Sequence, residues 1–227
     1  MKHATLQQVL ADQAAKRAVV LATDLANGDE RLIYPHEPGD DPLMEATQDA
    51  TRLDKSGVVE HDGAKIFLNV YNPPLRLIIV GAVHIAQPLA RMAAMTGYDV
   101  TVVDPRAAFA TAERFPDVTV MTEWPDDAMA TLAPNARTAI VTLTHDPKID
   151  DPALEVALRA PVFYIGALGS KKTHSARLQR LGEAGFSDVE LARICGPIGL
   201  AIGAKSPAEI AVAVLAQITE QLRQPPA

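Results

Sequence analysis

The groups best suited to chemistry cluster in four short segments, each following an apolar run of strand type. Gly81-Ala82-Val83-His84-Ile85-Ala86 follows Leu77-Ile78-Ile79-Val80 and nearly matches G-x-G-x-x-G/A, the loop that brings backbone against a dinucleotide pyrophosphate. Asp104-Pro105-Arg106 ends the next apolar run, where such folds place an acidic residue for a ribose. Thr144-His145-Asp146 follows Val141-Thr142-Leu143. The fourth segment is Tyr164-Ile165-Gly166-Ala167-Leu168-Gly169-Ser170-Lys171-Lys172-Thr173-His174.

Each segment has a binding reading and a plainer one. Val83 stands where the fingerprint needs its second glycine, and its branched Cβ is predicted to project into the space a pyrophosphate would use. His84 either lines a crevice or packs at a helix start. Asp104 and Arg106 either meet a ligand or pair with each other, and Asp146-Pro147 either borders a site or begins a helix. In the fourth segment, Gly166, Leu168 and Gly169 lead to Ser170 as N-cap, so converging backbone N–H groups suit an anion. Lys171 and Lys172 then sit at a positive helix end together with Thr173; a bound phosphate would relieve that conflict, and solvation is the alternative.

Strands Leu77 to Gly81, Asp99 to Asp104, Val118 to Met121, Thr138 to Leu143 and Val162 to Gly166 must position these segments. Helices Ile85 to Thr96, Asp126 to Leu132, Pro152 to Leu158, Lys171 to Leu181, Asp188 to Ile194 and Pro207 to Leu222 alternate with them. That alternation predicts a Rossmann-like, mainly parallel sheet over 75–223. Residues 1–71 read as a small α+β domain. A helix opens at a Thr5/Gln8 capping box, hairpins turn at Asn27-Gly28-Asp29 and Asp62-Gly63, and a second helix runs from Asp41-Pro42 to a stop at Gly57. Asn72-Pro73-Pro74 is the predicted connector, and Gln224 to Ala227 a frayed tail. The fold class is thus α/β, with the small α+β domain first.

Net charge is −7, and 1–72 hold 7 basic and 12 acidic side chains, an arrangement ill-suited to a phosphate backbone, so no nucleic-acid partner is expected. Cys195 alone allows no internal disulfide and fits a reducing compartment. With no signal-peptide core and no apolar run of membrane length, the expectation is a cytoplasmic protein without a membrane partner. G-x-S-x-G, G-x-x-x-x-G-K-[ST] and H-E-x-x-H motifs are absent, which removes support from hydrolase and NTPase readings. Two classes stay open on residues alone: a NAD(P)-dependent oxidoreductase with a degenerate loop and His145 as acid/base, or a ligand-free interaction module.

These segments together resemble the XdhC/CoxI family, accessory proteins of xanthine dehydrogenase-type molybdenum hydroxylases. The likeness rests on Gly81 to Ala86, Val103-Asp104-Pro105-Arg106, Arg114-Phe115-Pro116, Thr144-His145-Asp146, Tyr164 to His174, Pro197-Ile198-Gly199-Leu200 and Pro207-Ala208-Glu209-Ile210-Ala211. The resemblance implies a chaperone that binds molybdenum cofactor (molybdopterin) and supports its sulfuration and insertion. The implied partners are an apo molybdenum hydroxylase and a cysteine desulfurase, and a homodimer is compatible with it. The implied cofactor-binding set is Gly81, Ala82, Val83, His84, Asp104, Arg106, His145, Asp146, Gly166, Leu168, Gly169, Ser170, Lys171, Lys172 and Thr173. Residues 1–71 lack the G-S-S-P-R type motif of the family's N-terminal domain.

Overall fold

The computed structural model describes residues 1–224. Of the expected tail, residues 225–227 lie outside the described residues. The chain divides into two compact units, Met1–Pro73 and Pro74–Ala227.

The first unit contains α1 (His3–Ala14), β1 (Val19–Asp24), β2 (Glu30–Ile33), α2 (Met44–Leu53), β3 (Gly57–His61) and β4 (Ala64–Tyr71). Its strands form an antiparallel sheet in the order β2-β1-β4-β3. Val20, Ala22, Ile66 and Leu68 point to one face and join Ile33 and Leu43 in the core, while Val19 and Leu21 between them are buried as well, so β1 is covered on both faces. Asp62 and Gly63 both adopt positive φ, which closes the β3–β4 hairpin tightly. Two helix starts differ from expectation. No side chain caps α1, which begins at His3, ahead of Thr5. The Asp41 carboxylate is held in a turn by Leu43 N–H at 2.9 Å and by Arg31, so α2 starts only at Met44. It ends on the left-handed Asp54, and Gly57 opens β3 instead.

The second unit contains β5 (Arg76–Val80), α3 (Ala86–Met95), β6 (Asp99–Val103), β7 (Thr119–Met121), α4 (Pro125–Leu132), β8 (Thr138–Thr142) and α5 (Pro147–Arg159). It continues with β9 (Tyr164–Ala167), α6 (Lys171–Glu183), α7 (Asp188–Leu191), β10 (Ile194–Cys195) and α8 (Pro207–Arg223). All six strands are parallel, in the order β10-β9-β8-β5-β6-β7. Counted along the chain this is the 3-2-1-4-5-6 order of a Rossmann sheet. Leu77 and Ile79 face a layer with Leu89, Ala93, Val214 and Ile218 of α3 and α8. Ile78 and Val80 face the opposite layer with Met129, Leu154, Leu158 and Leu181. Burial on both faces explains why these strands read as unbroken apolar runs.

Helix α5 begins at Pro147, five residues before its expected start, because Asp146 caps it by accepting Lys148 N–H at 3.0 Å. Pro152 is accommodated inside, its lost bond offset by the buried stripe Ile149, Ala153, Leu154, Ala157 and Leu158. Ile194, expected in a helix, pairs with Ile165 in β10; a two-residue strand leaves no periodicity to read. Ser206 and Glu209 form the expected capping box of α8.

Candidate functional site

The sheet order reverses at β5, which has β6 on one side and β8 on the other. Ligands of open α/β sheets bind beyond the carboxyl ends of strands at such a point. The loops after β5, β6, β8 and β9 meet there through direct contacts. Gly81, at φ +109°, lies so near the β8 loop that a Cβ would come 2.5 Å from Thr144 Cγ2. This glycine permits close strand approach as well as the turn.

Asp104 is fully buried. Its Oδ2 accepts Ala82 N–H at 2.8 Å and Arg106 Nη2 at 2.7 Å, while Oδ1 accepts Arg106 N–H at 3.0 Å and Nε at 2.9 Å. Burial by itself raises the carboxyl pKa, but the bonds from Arg106 and Ala82 outweigh it, and the group is held below the usual carboxylate range. Asp104 is therefore engaged on both oxygens, which removes the ribose acceptor that an ordinary dinucleotide site requires. The same bond engages the Ala82 amide. Val83, expected to project into the crevice, is half-buried and packs against the α3/α8 core layer. His84 is exposed in the turn before α3. The Arg106 side chain stays 39% exposed, leaving Nη1 open to a ligand.

Thr144-His145-Asp146 forms a tightly bonded turn. His145 takes a left-handed φ of +63°, unusual for a residue with a side chain. Asp150, one turn into α5, accepts Thr144 N–H at 3.3 Å, Thr144 Oγ1 at 2.6 Å and His145 N–H at 3.1 Å. Asp146 N–H donates to Thr144 Oγ1, and its carboxylate caps α5. Burial pushes the Asp150 pKa up, against these bonds and the nearby Arg177. Arg177 is 2% exposed; its Nη2 donates to Leu168 O at 2.8 Å and lies 3.8 Å from Asp150 Oδ2.

The β9–α6 connection forms the fourth wall. Gly169, at φ +144°, leaves space that a Cβ would fill 3.0 Å from Thr173 and 3.6 Å from His145 Nδ1, so the imidazole lies alongside this loop. Ser170 caps α6 as its spacing predicts, accepting Thr173 N–H at 3.1 Å. Lys171 and Lys172 are exposed at the first two helical positions. Gly166 is buried within β9, and a Cβ there would sit 2.5 Å from Ile198 and 2.7 Å from Tyr164 Oη. Its small size serves packing rather than an anion loop. Beneath it, Tyr164 Oη donates to Gln217 Oε1, which also accepts Gly199 N–H, and burial raises the tyrosine pKa.

The crevice rim thus offers donors: Arg106 Nη1, the His145 ring, the first amides of α6 and two lysines. The three nearby carboxylates, Asp104, Asp146 and Asp150, each accept bonds from the chain itself. This set fits an anion such as a phosphate. Among the described residues no cluster of three His, Cys, Asp or Glu could hold a metal ion. Asp150 and Arg177 were absent from the sequence-derived set. Their signal is a charge on an apolar stripe: Asp150 follows Ile149 and precedes Ala153, and Arg177 stands four residues before buried Leu181.

Residues 77–218 match the family model of the XdhC Rossmann domain. The chain belongs to the XdhC family. It is 36% identical over 148 residues to the Escherichia coli molybdenum cofactor insertion chaperone PaoD, covering 65% of this chain and 40% of PaoD. It is 33% identical over 156 residues to a Bacillus subtilis protein named as a probable xanthine dehydrogenase component, covering 68% of this chain and 45% of that protein. The uncharacterized E. coli protein YqeB is 31% identical over 155 residues, 68% of this chain and 29% of YqeB. The XdhC-type match therefore spans under half the length of each of these relatives. A crystal structure described as a xanthine dehydrogenase from Bacillus halodurans shares the fold at a TM-score of 0.68 and 24% identity, over 97% of this chain and 64% of that one. No helix among the described residues is long and apolar enough to cross a membrane.

Proposed function

We propose that the second unit binds molybdenum cofactor and that the chain acts as a chaperone for its insertion into a xanthine dehydrogenase-type hydroxylase. The observation that carries this reading is the switch-point crevice, whose rim gathers cationic and N–H donors while its buried carboxylates, Asp104 and Asp150, are already engaged. Family membership and the likeness to PaoD support reading that anion as molybdenum cofactor. Ser170, Lys171, Lys172 and the α6 amides would hold the phosphate, with Arg106, His145 and the Gly81–His84 loop against the pterin. The group itself supplies the molybdenum centre of the client enzyme. This chain's residues bind it, orient it and limit its contact with water.

Support for sulfuration, by receiving sulfur from a cysteine desulfurase while the cofactor is held, belongs to the same proposal, as does a homodimer as the working form. The engaged Asp104 counts against the NAD(P) oxidoreductase. Protein purified from a cofactor-competent host should carry about one molybdenum per chain and release fluorescent oxidised pterin, and Lys171→Ala/Lys172→Ala should lose most of both. Repeated preparations with neither metal nor pterin would overturn the proposal.

A further inference from the structure

Among the non-glycine residues lining the crevice His145 alone sits at positive φ, +63°, a region that histidine enters more readily than most residues but still at a cost. A left-handed non-glycine residue persists only when its surroundings over-determine it. Here the surroundings are one carboxylate. Asp150, 1% exposed, takes both amides and the hydroxyl of the Thr144-His145 turn. A buried carboxylate needs a counter-charge, and Arg177 stands 3.8 Å away, equally buried. Arg177 Nε and Nη1 have no hydrogen-bond partner, so the guanidinium is committed only to Asp150 and to the Leu168 carbonyl. That carbonyl belongs to the loop leading to Gly169, beside which the exposed His145 ring lies.

We propose that Asp150 and Arg177 form an internal strut whose role is to present His145 to the ligand, by fixing the left-handed turn after β8 and tying it to the loop after β9. Both are positioning residues; neither reaches solvent to touch a ligand. The inference deepens the cofactor-binding reading and rests on it only for what the imidazole meets. A core ion pair without this role would need nothing more than mutual neutralisation. The strut requires in addition that the acceptor oxygens of Asp150 hold the turn.

The neutral pair Asp150→Asn/Arg177→Met separates these cases, because it removes both buried charges together and leaves the turn with one amide oxygen where it had two carboxylate oxygens. Amide exchange by NMR, without cofactor, should be at least about tenfold faster than in wild type at Thr144 or at His145, whichever amide the single remaining oxygen no longer accepts, the loss of one bond to a charged acceptor. Amides of β5 and β8 should be unchanged. Binding of molybdenum cofactor released from a purified molybdoenzyme should weaken by about tenfold or more while the melting temperature stays near wild type. Wild-type exchange at both Thr144 and His145 in the double variant would overturn the strut. If wild type fails to bind cofactor, the functional reading falls, and the exchange measurement still decides the strut. Should the double variant not fold, Thr144→Val, which deletes the 2.6 Å hydroxyl bond to Asp150 together with the bond from Asp146 N–H and keeps both charges, replaces it. Faster exchange at His145 then supports the strut, and unchanged exchange refutes it.

Discussion

Replacing Asp104 with asparagine tests whether the acidic residue after β6 holds the protein together or waits for a ribose. The carboxylate accepts four bonds, two on each oxygen. Asparagine keeps one oxygen and turns an NH₂ group towards donors at the other. If the retained oxygen faces Arg106 N–H and Nε, the buried Ala82 amide is left unpaired. Such a group costs about 1–3 kcal/mol, and the lost charge-assisted bond to Arg106, discounted because that side chain is 39% exposed, adds about 1 kcal/mol. The expected loss is about 2–4 kcal/mol, a fall in melting temperature of about 5–15 °C at roughly 2–4 °C per kcal/mol. Trp124, the only tryptophan, lies in this unit, so its fluorescence reports the transition. The sign with pH follows from the lowered pKa. The carboxylate's contribution is complete above its unfolded pKa of about 4 and disappears as pH falls through the lower folded value, so the gap between variant and wild type, wide near pH 7, should close as pH falls below that unfolded value. A melting temperature within about 2 °C of wild type near neutral pH would refute the reasoning, since an unoccupied ribose acceptor could be removed at that small cost.

Gly166→Ala should destabilise by about 1–3 kcal/mol, because its Cβ would overlap Ile198 and the Tyr164 hydroxyl; thermal melts of the cofactor-free protein check this, and no loss would return Gly166 to the ligand loop. Burial and Arg177 lower the His174 pKa, so folded protein should lose stability as pH falls below the ordinary imidazole value of 6.5, and His174→Gln should flatten that part of the urea-midpoint profile. Gly196→Ala should be worse tolerated than Gly166→Ala, since its Cβ would fall on the His174 ring itself, and soluble yield with a melt gives the ranking. If Lys171 and Lys172 hold a phosphate, cofactor binding should weaken with added salt, and weaken less steeply in Lys171→Ala/Lys172→Ala.

Much of this molecule is written in local pattern. Runs such as Leu77-Ile78-Ile79-Val80, the Asp62-Gly63 turn and the Ser170 and Ser206 caps act over a few residues, and each forms where its spacing places it. Local pattern fails where a nearby competitor takes the group over. Arg31 and Leu43 hold the Asp41 carboxylate in a turn ahead of α2, and Asp146 starts α5 ahead of the proline that looked like its beginning. Two-residue β10 is stabilised only by β9 beside it, and so left no trace in the periodicity.

The sequence by itself determined the Rossmann unit, its family and the four loops that meet at the crevice, because strand runs, turns and caps are short-range choices repeated along the chain. Only the tertiary structure decided which of those residues remain available to a ligand. Asp104 and Gly166 looked like binding groups and are engaged in bonding and packing, while Asp150 and Arg177 looked like ordinary helix charges and hold the turn that carries His145. The physical reason is that a hydrogen bond or a close packing contact depends on distance in space. Ala82 and Asp104, Asp150 and Arg177, or Gly166 and Ile198 are far apart along the chain and become partners only once the parallel sheet has brought its strand ends together.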